Sequence, residues 1–362
     1  MAKSLSRLLL PQQRPSPLAL SLREGALVRG KTLITGGTAA DRTPLLALAA
    51  AQAGDSVTVL HRRGPRLEKS LRRRAGLYSQ VYDPLRCREP EDAAELLCAC
   101  ADTCGFDGNG MFLFLTDILQ WIQGDQGSLS IFSLLRRSAR GWNQLLMEED
   151  EHFLDSHVTE KAVNELSRFL VKLKLAFPTP AEGVSLAFPE GICVNIGEST
   201  LSWHLALLEL LRVQQDRDVQ VILDHPPVDE VLLELAERDW EEGMLMVSGP
   251  DLPAVQNHWS RLCASLDAIV AFHHESGLSC DALAQYFGQC ERIRTDQNVN
   301  VSQANTAFLT KTYSSGAVNR SVREYSILPE QIQTLPEGHA AIRIRSAGQA
   351  ICALQAREED DL

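Results

Sequence analysis

Residues 33–63 read LITGGTAADRTPLLALAAAQAGDSVTVLHRR. The run opens with an apolar segment, LITG (33–36), passes through a turn of small residues into PLLALAAAQAG (44–54), and closes with SVTVL (56–60). Continuous apolar runs on either side of an Ala/Leu-rich helix predict a strand, a helix and a second strand, with the strands buried and parallel. Pro44 falls in the first turn of this predicted helix, where proline is tolerated.

The same alternation returns in the second half of the chain. Four strand-like segments are separated by helical ones: ICVNI (192–196), VQVILD (219–224), MLMVS (244–248) and LDAIVAF (266–272). Regular alternation of this kind predicts an α/β fold with a doubly wound, mostly parallel sheet. Residues 326–346 add a closing turn and strand, and a further short strand is expected near 350–354.

Strand signals fade between residues 90 and 180, where the sequence is helical. Apolar residues at spacings of three and four predict one buried stripe along the last of these helices. We therefore expect an all-α domain (90–180) inserted into a sheet domain. The remaining predicted units are an irregular N-terminal segment (1–25), the two parts of the sheet domain (26–89 and 181–355) and an acidic tail (356–362).

The charge balance opposes a general electrostatic attraction of the whole chain to DNA or anionic lipid. The 362 residues include 35 Lys and Arg against 47 Asp and Glu, a net charge of -12. The one local exception is the run from 62 to 74, which could contact a polyanion or form a solvated helix face. Its basic residues are Arg62, Arg63, Arg66, Lys69, Arg72, Arg73 and Arg74.

The cysteine content and the hydropathy of the sequence indicate the cellular compartment of the protein. Nine cysteines, an odd number without a signal-peptide core, indicate a reducing environment. We expect Cys98, Cys100 and Cys104 to be ordinary buried thiols. No apolar run is long enough to span a membrane. The expected location is cytoplasmic, with any attachment to the inner face of the membrane made through partners.

The first turn, GGTAADRT (36–43), carries the main functional signal. It keeps the spacing of the phosphate-binding loop G-x-x-x-x-G-K-[ST], because Gly36 and Thr43 match while Asp41 and Arg42 replace the second glycine and the lysine. A working loop directs backbone N–H groups at phosphates and places the Thr hydroxyl on Mg²⁺. Candidate nucleotide-binding residues are Gly36, Gly37, Thr38, Arg42 and Thr43.

Both replacements, Asp41 and Arg42, argue against tight nucleotide binding. Asp41 would place a carboxylate beside a polyanion, and two like charges at 4 Å repel by about 4 kcal/mol at an effective dielectric of 20. Arg42 keeps a positive charge, but its planar fork differs from a compact lysine. ATP and Mg²⁺ are possible ligands, and we expect their binding to be weak or lost.

Two other interpretations of the turn stay open. The stretch also resembles the opening of short-chain dehydrogenases, but the later glycines of that NAD(P)-binding turn fall on Ala40 and Arg42, and the Y-x-x-x-K motif of that family is absent. Alternatively, Gly36 and Gly37 serve only to turn the chain from strand to helix.

Over residues 30–346 the order of segments resembles the cytoplasmic ATPase domain of type IV secretion coupling proteins of the TraD/TraG type. LITGGTAADRT is similar to their phosphate loop, VYDPL (81–85) to the end of the next strand, and SILPEQIQTLPEGHAAIRI to a closing segment. Residues 90–180 lie where that family inserts an all-α domain. The resemblance implies a RecA-like fold and covers only the soluble portion, since the family's N-terminal membrane helices have no counterpart here.

The resemblance also implies roles for individual residues. VQVILD ends at Asp224, the position of the family's Mg²⁺-directing carboxylate, while His225 replaces the following water-polarising Glu. Thr43 and Asp224 would hold Mg²⁺ if nucleotide binds, and Asp224 and His225 are the catalytic candidates. Gly249 and Pro250 occupy the corner where the family places a γ-phosphate-sensing Gln.

These departures favour a degenerate ATPase that serves recognition or assembly in a conjugative or type IV secretion system. The implied partners are secretion or relaxosome proteins, DNA at the basic run, and further copies or other subunits in an oligomer. One alternative is an active ATP-driven translocation motor subunit; a second is an NAD(P)-dependent protein of the short-chain-dehydrogenase type.

Overall fold

A computed structural model describes residues 29–62, 64–138, 160–178, 183–187, 191–214, 219–240, 243–254, 256–303 and 311–354. The predicted N-terminal segment (1–25), the acidic tail (356–362) and Arg63 lie outside these residues. The strands are β1 (Gly30–Thr35), β2 (Val57–His61), β3 (Ser79–Val81), β4 (Ile192–Asn195), β5 (Gln220–Asp224), β6 (Met244–Gly249), β7 (Ala268–Ala271), β8 (Gln289–Gln303), β9 (Lys311–Tyr325), β10 (His339–Ile344) and β11 (Gly348–Ala353).

Helices fill most of the connections. They are α1 (Ala39–Ala53), α2 (Pro65–Ala75), α3 (Pro90–Thr103), α4 (Gly108–Gln126), α5 (Ile131–Ser138), α6 (Glu160–Ala176), α7 (Thr200–Gln214), α8 (Glu230–Glu237), α9 (Gln256–Ser265), α10 (Gly277–Phe287) and α11 (Pro329–Gln333). Short 3₁₀ turns cover Gly54–Ser56 and Leu252–Ala254.

Nine strands form one sheet in the order β11-β10-β7-β1-β6-β5-β2-β4-β3. The strands from β7 to β3 in this order are parallel, and β10 pairs antiparallel with β7 and β11. The fold prediction, an α/β RecA-like doubly wound and mostly parallel sheet, is confirmed. Strands β6 and β5 separate β1 from β2, whereas the classical dinucleotide-binding sheet places its first two strands side by side. The short-chain-dehydrogenase alternative is therefore wrong.

The central strands β1, β2, β5, β6 and β7 are largely apolar and buried because helices cover both faces of the sheet there. Leu33 of β1 and Leu245 of β6 belong to one buried cluster, whereas their neighbours Ile34 and Met246 belong to the other. The register sets Asp224 opposite Ser248, so the parallel strands end together along one edge of the sheet. That edge is where α/β proteins bind ligands.

The described helices α3 to α6 lie between β3 and β4, which confirms the all-α insertion as part of the fold. The chain leaves and re-enters the sheet domain at one place: the Asp83 N–H donates to the Val184 carbonyl at 2.9 Å and the Val184 N–H to the Val81 carbonyl at 2.9 Å. Phe114 of α4 shares a buried cluster with sheet residues such as Leu33. The exact domain boundaries at 89/90 and 180/181 stay a prediction.

A buried charged network joins the start of the insertion to α7. Glu209 accepts hydrogen bonds from Arg88 Nη2 at 2.7 Å, the Tyr82 hydroxyl at 2.8 Å and the Leu186 N–H at 2.8 Å. Burial raises the pKa of Glu209 to about 7, and the Arg88 charge opposes this shift. The network satisfies the buried carboxyl group and fixes α7 against the loop that precedes α3.

Helix α1 begins earlier than the sequence predicted. Thr38 is its N-cap, and Asp41 at the third helical position completes a capping box. Pro44 therefore lies inside the helix, five residues after Ala39, rather than at its start. The predicted start was wrong because the T-x-x-D cap satisfies the free N–H groups of the first turn, while the internal proline loses only one helical hydrogen bond.

A long antiparallel hairpin, β8 paired with β9, forms a separate two-stranded sheet after α10. This hairpin was not predicted from the sequence. Its first strand, QCERIRTDQNVNVSQ, is mostly polar, so the only periodic signal is the placement of Ile293, Val299 and Val301 at odd positions. The closing elements α11, β10 and β11 do appear where the sequence predicted a turn and two strands.

Candidate functional site

The turn between β1 and α1 requires glycine at two successive positions. Gly36 has φ +79° and Gly37 has φ +60°, the left-handed region in which side chains are strained. A Cβ at Gly36 would lie 2.6 Å from the His274 ring, and one at Gly37 would lie 2.8 Å from Asp41 Oδ2. The glycines thus allow the turn and also let the chain lie close against its neighbours.

Three backbone N–H groups at the start of this loop already have partners within the protein. The N–H of Gly36 donates to the Gly249 carbonyl at 3.3 Å, and that of Gly37 to the His273 carbonyl at 2.7 Å. The N–H of Thr38 donates to Asp41 Oδ2 at 2.8 Å. A phosphate-binding loop directs backbone N–H groups of the turn and the helix start at its ligand. In the arrangement described here the three groups named above are satisfied without one.

Asp41 lies across the helix start. Its Oδ2 accepts hydrogen bonds from the N–H and the hydroxyl of Thr38, and its Oδ1 accepts one from the Gly338 N–H at 3.3 Å. Burial acts to raise the pKa of Asp41, but hydrogen bonds from Thr38 and Gly338 outweigh it and hold the pKa below its ordinary value. The carboxylate therefore takes the place of an anion at this helix N-terminus.

Arg42 folds back into the loop and is only 3% exposed. Its Nη1 donates to the carbonyl oxygens of Gly36 at 2.7 Å and Gly37 at 2.8 Å, and its Nη2 lies 3.3 Å from His225 Nε2. Burial lowers the pKa of Arg42, and the charges of Asp224 and Asp41 oppose that effect. The guanidinium thus binds the loop's own carbonyl groups.

Asp224 and His225 extend this arrangement along the edge of the sheet. Asp224 ends β5, and its Oδ1 lies 3.1 Å from His225 Nδ1. Because arginine can only donate, His225 Nε2 accepts from Arg42 and the ring proton is assigned to Nδ1, facing Asp224. These contacts form a chain of polar interactions that runs from Asp224 through His225 and Arg42 to the carbonyl groups of Gly36 and Gly37.

Of the other predicted site residues, Thr43 follows Arg42 on α1 and is 8% exposed. Gly249 ends β6, where a Cβ would lie 2.7 Å from Leu252 Cδ2. Its carbonyl group accepts the hydrogen bond from the Gly36 N–H. A backbone contact therefore occupies the position that corresponds to the γ-phosphate-sensing Gln of the resembled family. The roles of Thr43 and Asp224 in holding Mg²⁺ stay predictions.

His274 and Asp251 also belong to this site, and neither was among the predicted site residues. His274 Nε2 lies 3.3 Å from Thr35 Oγ1, and its Nδ1 lies 3.2 Å from Asp251 Oδ1, which also accepts from the Ser279 hydroxyl at 2.6 Å. The buried ring packs against Gly36 and so supports the loop from the β7 side. The sequence signal for His274 was the pair His273 and His274, which follows shortly after the buried strand β7 (Ala268–Ala271). That end of a parallel strand lies at the ligand-binding edge of the sheet.

The basic run forms one side of α2. Leu67 and Leu71 face the core, and four basic side chains, Arg66, Lys69, Arg72 and Arg73, are exposed on the other side. Arg74 is partly buried, and Arg62 lies just after β2, 3.9 Å from Glu198. The Arg72 guanidinium covers the Tyr78 ring at 4.9 Å. The described part of this run is thus an exposed basic helix face.

The strand order, with one strand between β1 and the acidic strand β5, defines a RecA-like fold that carries a helical insertion. Solved structures of TrwB, a bacterial conjugative coupling protein, share this architecture. The trigonal form of TrwBdeltaN70 in complex with sulphate matches with a TM-score of 0.59 and 14% identity, over 97% of this chain and 91% of that chain. TrwB in complex with ADP and Mg²⁺ matches with a TM-score of 0.57 and 13% identity, over 97% and 90%.

At this level of identity the likeness establishes the fold, and it confirms the coupling-protein resemblance of the sequence at that level. No protein-family model matches the chain, and no curated protein sequence does either. Among the described residues, the helices are all too short or too polar to cross a bilayer.

Proposed function

We propose that this chain is a coupling-protein-like component of a conjugative or type IV secretion system in which the phosphate loop is closed by its own Arg42. Its role would then be recognition or assembly without ATP turnover. The observation that carries the proposal is the buried guanidinium held by the carbonyl groups of Gly36 and Gly37. The likeness of the fold to TrwB supports the setting.

The energetics of the loop oppose nucleotide binding. A triphosphate could enter only if Arg42 left two carbonyl acceptors, and hydrogen bonds from charged groups contribute about 1.5–3 kcal/mol each. A cost of about 3 kcal/mol weakens affinity more than a hundredfold. Freeing the Thr38 N–H would also break the capping box, which contributes about 1 kcal/mol. The residues present therefore do not fit a tightly bound nucleotide.

The two candidate Mg²⁺ ligands, Thr43 and Asp224, also fit a metal ion poorly. Asp224 is engaged by His225 and faces the charge of Arg42, so its negative charge is already compensated. A Mg²⁺ ion held by Thr43 and Asp224 would have to displace this arrangement and then share the site with a guanidinium. Like charges in one partly buried site repel each other strongly.

An active motor subunit is the second candidate. One observation favours it: Arg42 and Asp224, the residues that such a motor would use, are linked through His225 at one end of the sheet. In that case Arg42 would leave Gly36 and Gly37 to meet the phosphates.

The partners would be secretion or relaxosome proteins and further subunits of an oligomer. DNA contact, where it occurs, would fall on the exposed basic face of α2, which carries Arg66, Lys69, Arg72 and Arg73. Phosphate contacts of this kind are sequence-independent and weaken with salt. The expected location is the cytoplasm, at the inner face of the membrane through these partners.

The deciding experiment is a turnover assay of the purified chain with Mg²⁺ and ATP, with and without single-stranded DNA. The proposal predicts no phosphate release above that of the buffer. A matched variant, Asp41→Gly with Arg42→Lys, returns both replaced positions to the residue types of an ordinary phosphate loop, and it should gain nucleotide binding. Turnover by the unmodified chain that disappears in Arg42→Ala would establish the motor instead.

A further inference from the structure

The nine-stranded sheet ends differently at its two edges. At one edge the Val184 N–H donates to the Val81 carbonyl at 2.9 Å and the Asp83 N–H to the Val184 carbonyl at 2.9 Å, so a neighbouring segment covers part of that edge. At the other edge, β11 pairs with β10 alone among the described residues. A strand at a sheet edge presents unpaired N–H and C=O groups, to which another strand can add.

The ladder between β10 and β11 shows which groups of β11 point away from the sheet. The Leu354 N–H donates to the Gly338 carbonyl at 2.7 Å, so the backbone of Leu354 is directed toward the β10 side. Successive residues of an antiparallel strand alternate in this respect. The N–H and C=O groups of Gln349, Ile351 and Ala353 therefore point outward, and these three residues form the free edge of the sheet.

The free edge lacks the features that normally prevent pairing with another chain. β11 has the sequence GQAICA (348–353), without a charged residue or a proline. The Ile351 side chain is 39% exposed. Edge strands usually carry charges or prolines that keep other strands away. The composition of β11 therefore favours association through this edge.

We propose that β11 is a self-association site, at which a second copy of this chain adds its own β11 in the antiparallel direction. The two-fold axis passes beside Ile351, which lies opposite Ile351 of the second copy. Gln349 lies opposite Ala353 of the second copy, and the reverse. In this register each outward N–H group meets an outward C=O group, because the three residues of the free edge are placed symmetrically about Ile351.

The charges around β11 favour a second copy as the occupant. Arg345 is exposed in the turn before β11; its Nη2 donates to the Ala264 carbonyl at 2.6 Å, and it has no carboxylate partner in the described part of the chain. In the antiparallel pair, the end of one β11 lies beside the start of the other. The residues REEDD (357–361), one basic and four acidic, follow β11 in the sequence and would approach Arg345 of the second copy.

The register can be tested with a disulfide. Ala350 lies opposite Cys352 of the second copy in a non-hydrogen-bonded pair, with Cα atoms about 4.5 Å apart, a separation that a disulfide spans. Ala350→Cys should therefore give a covalent dimer, linked between positions 350 and 352, on oxidation with copper phenanthroline. Adding Cys352→Ser should abolish this dimer, because the two copies of position 350 are diagonal neighbours about 7–8 Å apart.

The other cysteines set the background of this experiment. Cys98 and Cys100 are buried, as the sequence predicted. That prediction was wrong for Cys104, which is exposed because α3 ends at this residue. Cys104 and the exposed Cys87 can form unrelated crosslinks, and oxidation of the unmodified chain measures them.

A charge on the two-fold axis separates pairing from folding. Ile351→Lys would place two lysines opposite each other in the dimer, but it leaves the ladder with β10 intact because the backbone groups of this residue point outward. One pair of short strands buries less area than a stable dimer needs, so association should depend on concentration. In sedimentation velocity, the unmodified chain should shift from monomer toward dimer as its concentration rises, and Ile351→Lys should stay monomeric.

Leu113→Lys, at another exposed apolar residue, is the matched control and should associate like the unmodified chain. The proposal fails if Ala350→Cys gives no more covalent dimer than the variant that also carries Cys352→Ser. It also fails if Ile351→Lys, shown to be folded by circular dichroism, associates as strongly as Leu113→Lys.

Discussion

Replacing Arg42 by methionine tests whether the guanidinium holds the phosphate loop. The change keeps an unbranched apolar stem but removes the guanidinium, and with it the two hydrogen bonds from Nη1 to the carbonyl groups of Gly36 and Gly37. Each charged hydrogen bond contributes about 1.5–3 kcal/mol, and relief from burying the charge offsets part of the loss. Asp224 also loses the positive charge that faces it. We expect the free energy of unfolding to fall by about 3 kcal/mol.

The assay is urea unfolding followed by far-ultraviolet circular dichroism, without nucleotide. Arg66→Met on the exposed face of α2 is the matched control and should change the free energy of unfolding by less than about 0.5 kcal/mol. The double variant Arg42→Met with Asp224→Asn should recover part of the loss, because it leaves no uncompensated buried carboxylate. If Arg42→Met is as stable as the control, the guanidinium does not close the loop and the reasoning fails.

Three further predictions concern Asp41, Arg88 and Cys104. Asp41→Ala should lower the free energy of unfolding by about 1 kcal/mol through loss of the capping box with Thr38, as measured by urea unfolding, and an unchanged value would contradict that role. Arg88→Met should lower the free energy of unfolding by about 3–5 kcal/mol, because it leaves Glu209 buried without its counter-charge. If the double variant Arg88→Met with Glu209→Gln is no more stable than Arg88→Met alone, this reason is wrong. Cys104→Ser should be more destabilising at pH 8 than at pH 4, because a folded pKa near 4 lies below the ordinary value and its stabilisation is lost as pH falls toward 4. Equal losses at both pH values would show that the thiolate does not stabilise the fold.

The sheet could be predicted because its evidence is local. Apolar runs such as VQVILD and LDAIVAF, separated by helical segments, are typical of buried parallel strands, and each appears as a strand in the sheet. The insertion was predictable for the same reason, because its helices carry their own apolar stripes. The hairpin of β8 and β9 was missed because its strands are mostly polar and lie outside the alternation.

The arrangement of the phosphate loop could not be predicted, because its partners come from distant parts of the chain. The carbonyl groups that hold the N–H groups of Gly36 and Gly37 belong to Gly249 and His273, more than 200 positions away. The sequence identified Asp41 as the residue that disfavours phosphate. The start of α1 instead uses it as a cap, and Arg42 emerges as the group that fills the loop. The T-x-x-D capping signal was present in the sequence and would have located the start of α1.

The most direct test of the closed loop is a calorimetric titration of the unmodified chain with ATP in excess Mg²⁺. If the loop is closed, the titration should show no saturable binding up to about 1 mM nucleotide, which corresponds to a binding free energy weaker than about 4 kcal/mol. The variant carrying Asp41→Gly and Arg42→Lys should bind measurably under the same conditions. Binding of ATP to the unmodified chain with a Kd of about 1 μM, equivalent to about 8 kcal/mol, would show that Arg42 does not close the loop.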